Sequence, residues 1–159
     1  MRILDVCCGG RMLWYNKREP HTTYMDIRDG DYSVHRNGYE KKVIVHPDIQ
    51  ADFTSIPFPD HSFDMVVFDP PHLTHADGYM GAHYGQLPKD WKPMLKQGFA
   101  ECMRVLKPES TLVFKWCETH IPFSEVLKLF GQKPIFGDRH SKTRWVVFLS
   151  PAENNSKGE

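Results

Sequence analysis

One short stretch constrains the fold of this chain more than any other: the apolar segment 62–68 runs directly into Asp69-Pro70-Pro71-His72. An apolar run of this length, stopped by prolines, predicts a buried strand of an α/β sheet. The prolines end the strand because neither has an amide hydrogen to donate to a neighbouring strand. An acid and a flat ring are thereby placed at the carboxyl end of a strand, where open α/β sheets bind their ligands.

A turn of small residues follows the first predicted strand, residues 2–6. Its members are Cys7, Cys8, Gly9 and Gly10. A strand followed by such a turn and then a helix lets the backbone approach a nucleotide closely. We therefore predict a short helix over residues 11–17 whose amino end points at the ligand.

The second predicted strand, residues 22–27, carries an acid at its end. Asp26 lies roughly 20 residues after the first strand, the separation expected of a carboxylate that binds ribose hydroxyls. Ile27 follows and is available to cover an adenine ring. The alternative is a plain turn or helix-capping acid, since a polar turn sequence comes next.

The remaining pattern predicts a sheet with few helices. Residues 32–35 and 42–45 predict a hairpin around Asn37-Gly38, and residues 89–106 predict an amphipathic helix. Further predicted elements are a helix over 122–130, strands over 111–116, 133–136 and 144–149, and a polar loop over 137–143. Residues 73–88 lack periodicity and contain three glycines, which predicts a mobile segment that covers the substrate.

Composition indicates one globular domain, which we place at residues 1–151 with a disordered tail at 152–159. The 159 residues are 40% hydrophobic and 25% charged, with zero formal net charge. No apolar run reaches the ~20 residues of a membrane span. Four cysteines, two of them adjacent, do not form a disulfide framework, and a strand predicted from residue 2 leaves no room for a signal peptide. We therefore expect a cytoplasmic protein.

A metal site is not predicted. His72, His75 and His83 lie close together in the sequence, but their spacing matches no common zinc site and no cysteine is near them.

These motifs, in this order, resemble the class I methyltransferases that use S-adenosylmethionine, and Asp-Pro-Pro-His resembles their amino-methyltransferase type. The resemblance implies a Rossmann-like α/β fold. Its sheet would be mostly parallel and of the seven-stranded type, with an antiparallel C-terminal hairpin and a reduced set of helices. Arg11 stands where the family has a glycine. It either pairs with the cofactor's carboxylate or lies on a helix surface.

The resemblance also implies a role for each motif residue. Asp69 and the Pro70 carbonyl would accept hydrogen bonds from the amino group that is methylated, next to Pro71. His72 would stack on the group in place of the usual larger aromatic residue. The implied cofactor-binding residues are Asp5, Cys7, Cys8, Gly9, Gly10, Asp26, Ile27, Asp52, Phe53 and Asp69.

Within that set, Asp26 would bind ribose and Asp52 the adenine amino group, while Phe53 would pack on the adenine ring. We therefore expect the carboxylates of Asp26, Asp52 and Asp69 to converge on one crevice.

The function implied is methylation of an exocyclic amine of adenine or cytosine, with DNA or RNA as the substrate. One alternative is a cofactor-binding, non-catalytic subunit of a larger methyltransferase. Another is an enzyme that methylates nitrogen in a protein or small molecule. A dehydrogenase is disfavoured because the Gly-x-Gly-x-x-Gly pattern is missing. Since no segment is long enough to recognise a target sequence, the chain either reads little sequence itself, forms a homodimer or relies on a partner subunit.

Overall fold

The structure of the protein, a computed structural model, describes residues 1–153, except for the side chain of Arg36. Most of the predicted tail therefore lies outside the described residues. The strands and helices are β1 (Ile3–Asp5), β2 (Thr22–Asp26), β3 (Gly30–Arg36), β4 (Tyr39–Val45), β5 (Ile49–Gln50), β6 (Phe63–Phe68), α1 (Gly78–Tyr84), α2 (Trp91–Val105), β7 (Leu106–Cys117), α3 (Phe123–Phe130), β8 (Phe136–His140) and β9 (Thr143–Leu149).

Seven strands form one sheet in the order β5-β2-β1-β6-β7-β9-β8. The pairs from β5 through β7 are parallel, and β9 and β8 complete the sheet as antiparallel strands. The predicted fold class is confirmed. Because parallel strands share one direction, the carboxyl ends of β1, β2, β6 and β7 meet at one edge of the sheet, and the motif residues follow those ends.

The core forms where helices α2 and α3 pack on the apolar centre of the sheet. Phe68, Phe114 and Phe148 are fully buried in it. The rings of Phe99 on α2 and Phe130 on α3 stack with centroids 4.1 Å apart. Burying large aromatic side chains in this way contributes about 2–3 kcal/mol each. The central strands are therefore held firmly beneath the edge at which the motifs meet. No helix in the described part of the chain combines the length and apolar character needed to cross a membrane.

The predicted hairpin is confirmed by strands β3 and β4. Their ladder runs from Gly30 opposite Val45 to Arg36 opposite Tyr39. Asn37 and Gly38 join them with φ values of 52° and 78°, the two left-handed residues of a type I′ turn. The hairpin takes the place of a crossover helix between β2 and β5.

The predicted helix over residues 11–17 is wrong, because the segment is a series of turns. Arg11 has a φ of 56°, outside the helical region. Its guanidinium donates to the carbonyls of Lys17, at 2.9 Å, and His46, at 2.8 Å. Trp14 is drawn inward, where its indole donates to Asp5 at 2.7 Å. These tertiary bonds outweigh a helix too short to be stable alone.

The C-terminal hairpin is displaced from its prediction. We predicted a strand over 133–136 and a loop over 137–143, but β8 spans Phe136–His140 and pairs with β9 up to His140 opposite Thr143. A tight turn at Ser141 and Lys142 joins the strands. All five residues of β8 are exposed at the sheet edge, so this strand lacks the apolar pattern that marks a buried one.

Residues 73–88, predicted to be irregular, contain helix α1. The helix has no buried residue, so no apolar stripe marks it in the sequence. It packs against β3 and β4, and thus joins the hairpin to the edge of the sheet that carries the motifs.

Candidate active site

A cavity of about 470 Å³ lies at the carboxyl edge of the parallel strands. Its size is that of a site for one small molecule or cofactor. Every strand that ends at this edge contributes to its walls, and the segment containing α1 closes the opposite side. The residues lining it are Val6–Gly10, Met12, Leu13, Asp26–Arg28, Phe53, Asp69–His72, His83–Gln86 and Lys115.

The turn after β1 forms one end of the cavity and is held by acids behind it. Gly9 has a φ of 48°, and its amide donates to Asp26 Oδ2 at 2.8 Å. The amide of Cys7 donates to Asp5 Oδ1 at 3.3 Å. A Cβ at Gly10 would lie 3.4 Å from the Ile44 carbonyl, so the hairpin also constrains the turn. Gly9 and Gly10 of the predicted glycine turn thus line the cavity, with the turn held in place by Asp26, Asp5 and the hairpin.

The two cysteines of this turn serve as small side chains. Burial raises the pKa of the Cys8 thiol to about 12 and raises that of Cys7 well above its usual value. Both thiols therefore remain protonated at neutral pH, and neither is available as a thiolate nucleophile.

Asp5 lies behind the turn and is not among the residues lining the cavity. It is 1% exposed and accepts a hydrogen bond from Trp14. Burial raises its pKa to about 7, with a smaller raising effect from the charges of Asp69 and Asp26. Asp5 therefore supports the turn from behind.

Asp26 ends β2 as predicted, but its carboxylate already has a cationic partner. Arg28 donates from its backbone amide and its Nε to Asp26 Oδ1 at 3.0 Å and 3.1 Å. Oδ2 accepts from Gly9 and, at 3.5 Å, from Arg28 Nη2. Arg28 Nη1 also donates to the Ala82 carbonyl on α1 at 2.7 Å. Since a carboxylate accepts about four hydrogen bonds, a ribose would have to displace part of the Arg28 guanidinium.

Asp52 is placed apart from the other two predicted carboxylates. Its side chain is exposed, and its Oδ1 accepts from the Thr54 amide and hydroxyl, each at 2.8 Å. It is not among the lining residues, whereas Phe53 is. Gly98 on α2 makes room for the Phe53 ring, because a Cβ there would lie 2.4 Å from its Cδ2.

Asp69 lies at the end of β6 and forms an ion pair with Lys115 on the adjacent strand β7. Lys115 Nζ donates to Asp69 Oδ2 at 2.7 Å, and the two side chains are 16% and 19% exposed. Burial raises the pKa of Asp69, and Lys115 opposes that rise. Across residues 1–153, Asp69 Oδ1 has no hydrogen-bond donor, and the residue lines the cavity. One carboxylate oxygen therefore remains available to a ligand.

His72 lies deeper than predicted for a ring that stacks on a ligand. It is 7% exposed, and its ring lies 5.7 Å from that of Tyr84 and 6.2 Å from that of Trp116. Burial lowers its pKa to about 4, with a smaller lowering effect from Lys115, while a hydrogen bond to the Pro70 carbonyl acts in the opposite direction. His72 is thus neutral at pH 7. Tyr84 is 37% exposed and offers the more accessible ring.

The structure therefore brings together most of the predicted site: the small-residue turn, Asp26, Ile27, Phe53 and residues 69–72. Asp5 and Asp52 lie outside the lining, so the predicted convergence of three carboxylates is found only for Asp26 and Asp69. Arg11 also lies outside and stacks on Tyr24, 3.9 Å from the ring centroid.

The lining residues that sequence reasoning did not assign to the site include three with polar or aromatic side chains, namely Arg28, Lys115 and Tyr84. Arg28 follows Asp26 by two positions, a spacing that favours a local ion pair and is a usable signal. Lys115 alternates with buried Phe114 and Trp116 on one strand, which marks it as facing the other side of the sheet. No sequence signal identifies Asp69 as its partner. Among the described residues, no group of three or more side chains is arranged to hold a metal ion.

Residues 4–114 match the family described as "Methyltransferase domain". Among curated proteins, the chain is 28% identical over 151 residues to the ubiquinone/menaquinone biosynthesis C-methyltransferase UbiE of Paraburkholderia phymatum, covering 89% of this chain and 54% of that protein. It is 34% identical over 102 residues to the DNA adenine methyltransferase YhdJ of Escherichia coli, covering 62% of this chain and 33% of that protein. The chain thus spans about half or less of the length of these relatives.

Solved structures share the fold. The 1,6-didemethyltoxoflavin-N1-methyltransferase of Burkholderia thailandensis, crystallised with its substrate and S-adenosylhomocysteine, superposes with a TM-score of 0.57 at 12% identity. The alignment covers 94% of this chain and 70% of that one. At such low identity the likeness concerns the fold alone.

Proposed function

This chain belongs to the methyltransferase domain family, and we propose that it methylates an amino nitrogen, the exocyclic amine of adenine or cytosine in DNA or RNA. The observation that carries the proposal is Asp69, which lines the cavity at the end of β6 and keeps one carboxylate oxygen open beside the Pro70 carbonyl. A planar amino group has two N–H donors, and these two acceptors match them.

S-adenosylmethionine is the cofactor. The residues present fit it: the turn at Gly9 and Gly10 leaves the backbone accessible, and Asp26 stands at the end of the neighbouring strand. Ile27 and Phe53 offer apolar surface for an adenine ring. When bound, the cofactor would supply a methyl group attached to a sulfonium sulfur. On transfer of the methyl group to nitrogen, the sulfur would keep the electron pair of the broken C–S bond and become a neutral sulfide.

The protein's own contribution is to position the nitrogen. An amino group conjugated to a ring is a weak nucleophile because its lone pair is delocalised. Hydrogen bonds to Asp69 Oδ1 and the Pro70 carbonyl hold the N–H groups to one side, which directs the lone pair toward the methyl group and favours a near-attack geometry. The surplus proton of the methylated nitrogen passes to Asp69 or to water.

The walls of the cavity suit a flat, uncharged ring. Neutral His72 and the accessible ring of Tyr84 line the cavity together with Asp69, and the centroids of the two rings lie 5.7 Å apart. Aromatic contacts of this kind stabilise an unstacked base by about 1–3 kcal/mol. A base within a duplex would have to leave the stack to reach Asp69.

The relatives support the acceptor class in part. YhdJ is named a DNA adenine methyltransferase, whereas UbiE is named a C-methyltransferase. The Asp-Pro-Pro-His sequence favours nitrogen, because a carbon nucleophile does not need two hydrogen-bond acceptors at the reacting atom. We also propose that a second copy or a partner subunit contributes contacts to the nucleic acid.

The test is transfer of a labelled methyl group from S-adenosylmethionine to pooled DNA and RNA oligonucleotides, followed by digestion to nucleosides. We expect label in N-methylated adenosine or cytidine, reduced by about 10²–10³-fold with Asp69→Asn. Label on carbon, or only on protein or small molecules, would overturn the proposed acceptor. Cofactor binding by calorimetry without transfer to any acceptor would favour a non-catalytic subunit.

A further inference from the structure

We propose that Lys115 is a positioning residue for the methyl acceptor: it holds Asp69 as a carboxylate and occupies Oδ2, so that Oδ1 is reserved for the amino group. The inference rests on the proposed function, and it assigns a role to a residue that the Asp-Pro-Pro-His motif does not contain.

Lys115 lines the cavity, and its ammonium is bound to Asp69. Lys115 lies on β7, which pairs with β6 so that Phe114 is opposite Phe68, the residue before Asp69. Its ammonium is 2.7 Å from Asp69 Oδ2 and 5.8 Å from the centroid of the Trp145 ring on β9. Only 16% of the Lys115 side chain is exposed. An ammonium held between a carboxylate and an aromatic ring has little freedom to reach elsewhere.

The charges around Asp69 make this partner necessary. Lys115 is the charged group that acts on the Asp69 carboxyl, and the charge of Asp69 in turn raises the pKa values of Asp5 on β1 and of the Cys7 thiol. Burial raises the pKa of Asp69, and Lys115 is the cation that opposes the rise. Without it, a buried carboxyl beside Asp5 would be protonated at a higher pH.

Protonation of Asp69 would alter its hydrogen bonding. A carboxylate accepts at both oxygens, whereas a carboxylic acid has one oxygen that donates. If the protonated oxygen of Asp69 faced the amino group, its O–H would point at an N–H, and that oxygen could not accept a hydrogen bond from the amino group. By keeping the proton off Asp69, Lys115 maintains both the charge and the acceptor geometry that hold the nitrogen.

The Lys115–Asp69 ion pair also affects how Asp69 interacts with the positively charged sulfonium of the cofactor. An unpaired carboxylate next to that sulfonium would be attracted to it. Because Lys115 neutralises much of that charge, Asp69 is directed to the amine. A merely structural ion pair would instead affect stability alone.

The strand offers a matched control. Lys107, at the other end of β7, donates to Asp64 Oδ1 at 2.7 Å, the same distance as in the Lys115 pair. Lys107 is not among the residues lining the cavity. Lys107→Met therefore removes an ion pair of the same length, though a more exposed one, from the same strand without touching the site.

The experiment compares Lys115→Met, Lys115→Arg and Lys107→Met. The pH dependence of methyl transfer to oligonucleotides is measured for each variant, and the Asp69 carboxyl is titrated by carbon NMR in the protein without cofactor. Asp69→Asn assigns the Asp69 signal, and Asp5→Asn identifies the titration of its neighbour.

We expect Lys115→Met to move the acid limb of the rate profile, and the NMR titration of Asp69, to higher pH by at least about one pH unit. The rate should recover at alkaline pH, with Lys115→Arg close to wild type and Lys107→Met unchanged. Equal loss of rate at every pH, or an Asp69 titration that does not move, would overturn the inference.

The two proposals fail separately. If the wild-type protein methylates no nucleobase, the proposed function fails, while the NMR titration still measures the effect of Lys115 on Asp69. If nucleobases are methylated but the titration is the same in Lys115→Met, only the role of Lys115 is lost.

Discussion

The two acids of the cavity, Asp26 at the end of β2 and Asp69 at the end of β6, are both paired with a cation from their own chain, but to different extents. Asp26 is 4% exposed and accepts from Arg28 and Gly9 at both oxygens. Within residues 1–153, Asp69 accepts a hydrogen bond only from Lys115, at Oδ2. In the proposed function, Asp26 would therefore have to exchange hydrogen-bond partners to bind a ribose, while Asp69 already presents a free oxygen to the methyl acceptor.

The largest expected effects are those of substituting Asp69 and Asp26, and they should fall on different steps, methyl transfer and cofactor binding. Asp69→Asn should lower methyl transfer by about 10²–10³-fold, because it removes a charged acceptor at the reacting nitrogen. Asp26→Asn should instead weaken cofactor binding by about 10–100-fold through lost charge-assisted hydrogen bonds. Calorimetry with S-adenosylmethionine and a labelled-methyl assay measure the two quantities. The comparison breaks down if both variants lose binding and transfer to the same extent.

Asp52→Ala is the control for this pair. Because its carboxylate holds Thr54 and does not line the cavity, we expect less than about a threefold change in cofactor affinity. A loss as large as that of Asp26→Asn would instead support the adenine-binding role that the sequence predicts.

Asp5, which is buried on the strand between those of Asp26 and Asp69, should make protein stability depend on pH. Its pKa is about 7 in the folded protein and near 3.8 when solvated, so the folded state binds the proton more tightly. The free energy of unfolding should therefore fall as pH rises from about 4 to about 7, by up to about 4 kcal/mol, and level off above that range. The difference between wild type and Asp5→Asn, measured by denaturant unfolding at several pH values, isolates this contribution. A difference that does not vary with pH would contradict it.

The smallest effect concerns Arg28, which ties Asp26 to α1. Arg28→Met should free Asp26 for the ribose and tighten cofactor binding by up to about tenfold. The same change removes the hydrogen bond to the Ala82 carbonyl, so amide hydrogen exchange in α1 should become faster. Weaker binding would show that Arg28 helps to hold the cofactor instead of competing with it.

Patterns within a few consecutive residues predicted much of the fold and part of the site. Prolines after an apolar run predicted the strand before Asp69, and the Asn37-Gly38 turn predicted the β3–β4 hairpin. Apolar residues at helical spacing predicted α2. All three signals act between residues close in sequence. The exposed helix α1 was missed, and the exposed strand β8 was predicted a few residues too early, because neither buries an apolar face that leaves a pattern in the sequence.

What the sequence determined by itself is the order of strands and turns, and with it the edge of the sheet at which Gly9, Asp26 and Asp69 meet. Only the tertiary structure decided which hydrogen-bond partners the predicted site acids have. Lys115 reaches Asp69 across 46 positions of sequence, and Asp52 turns to Thr54 instead of the cavity. The physical reason is that backbone preferences act between neighbours, whereas hydrogen bonding and burial depend on which side chains packing brings together.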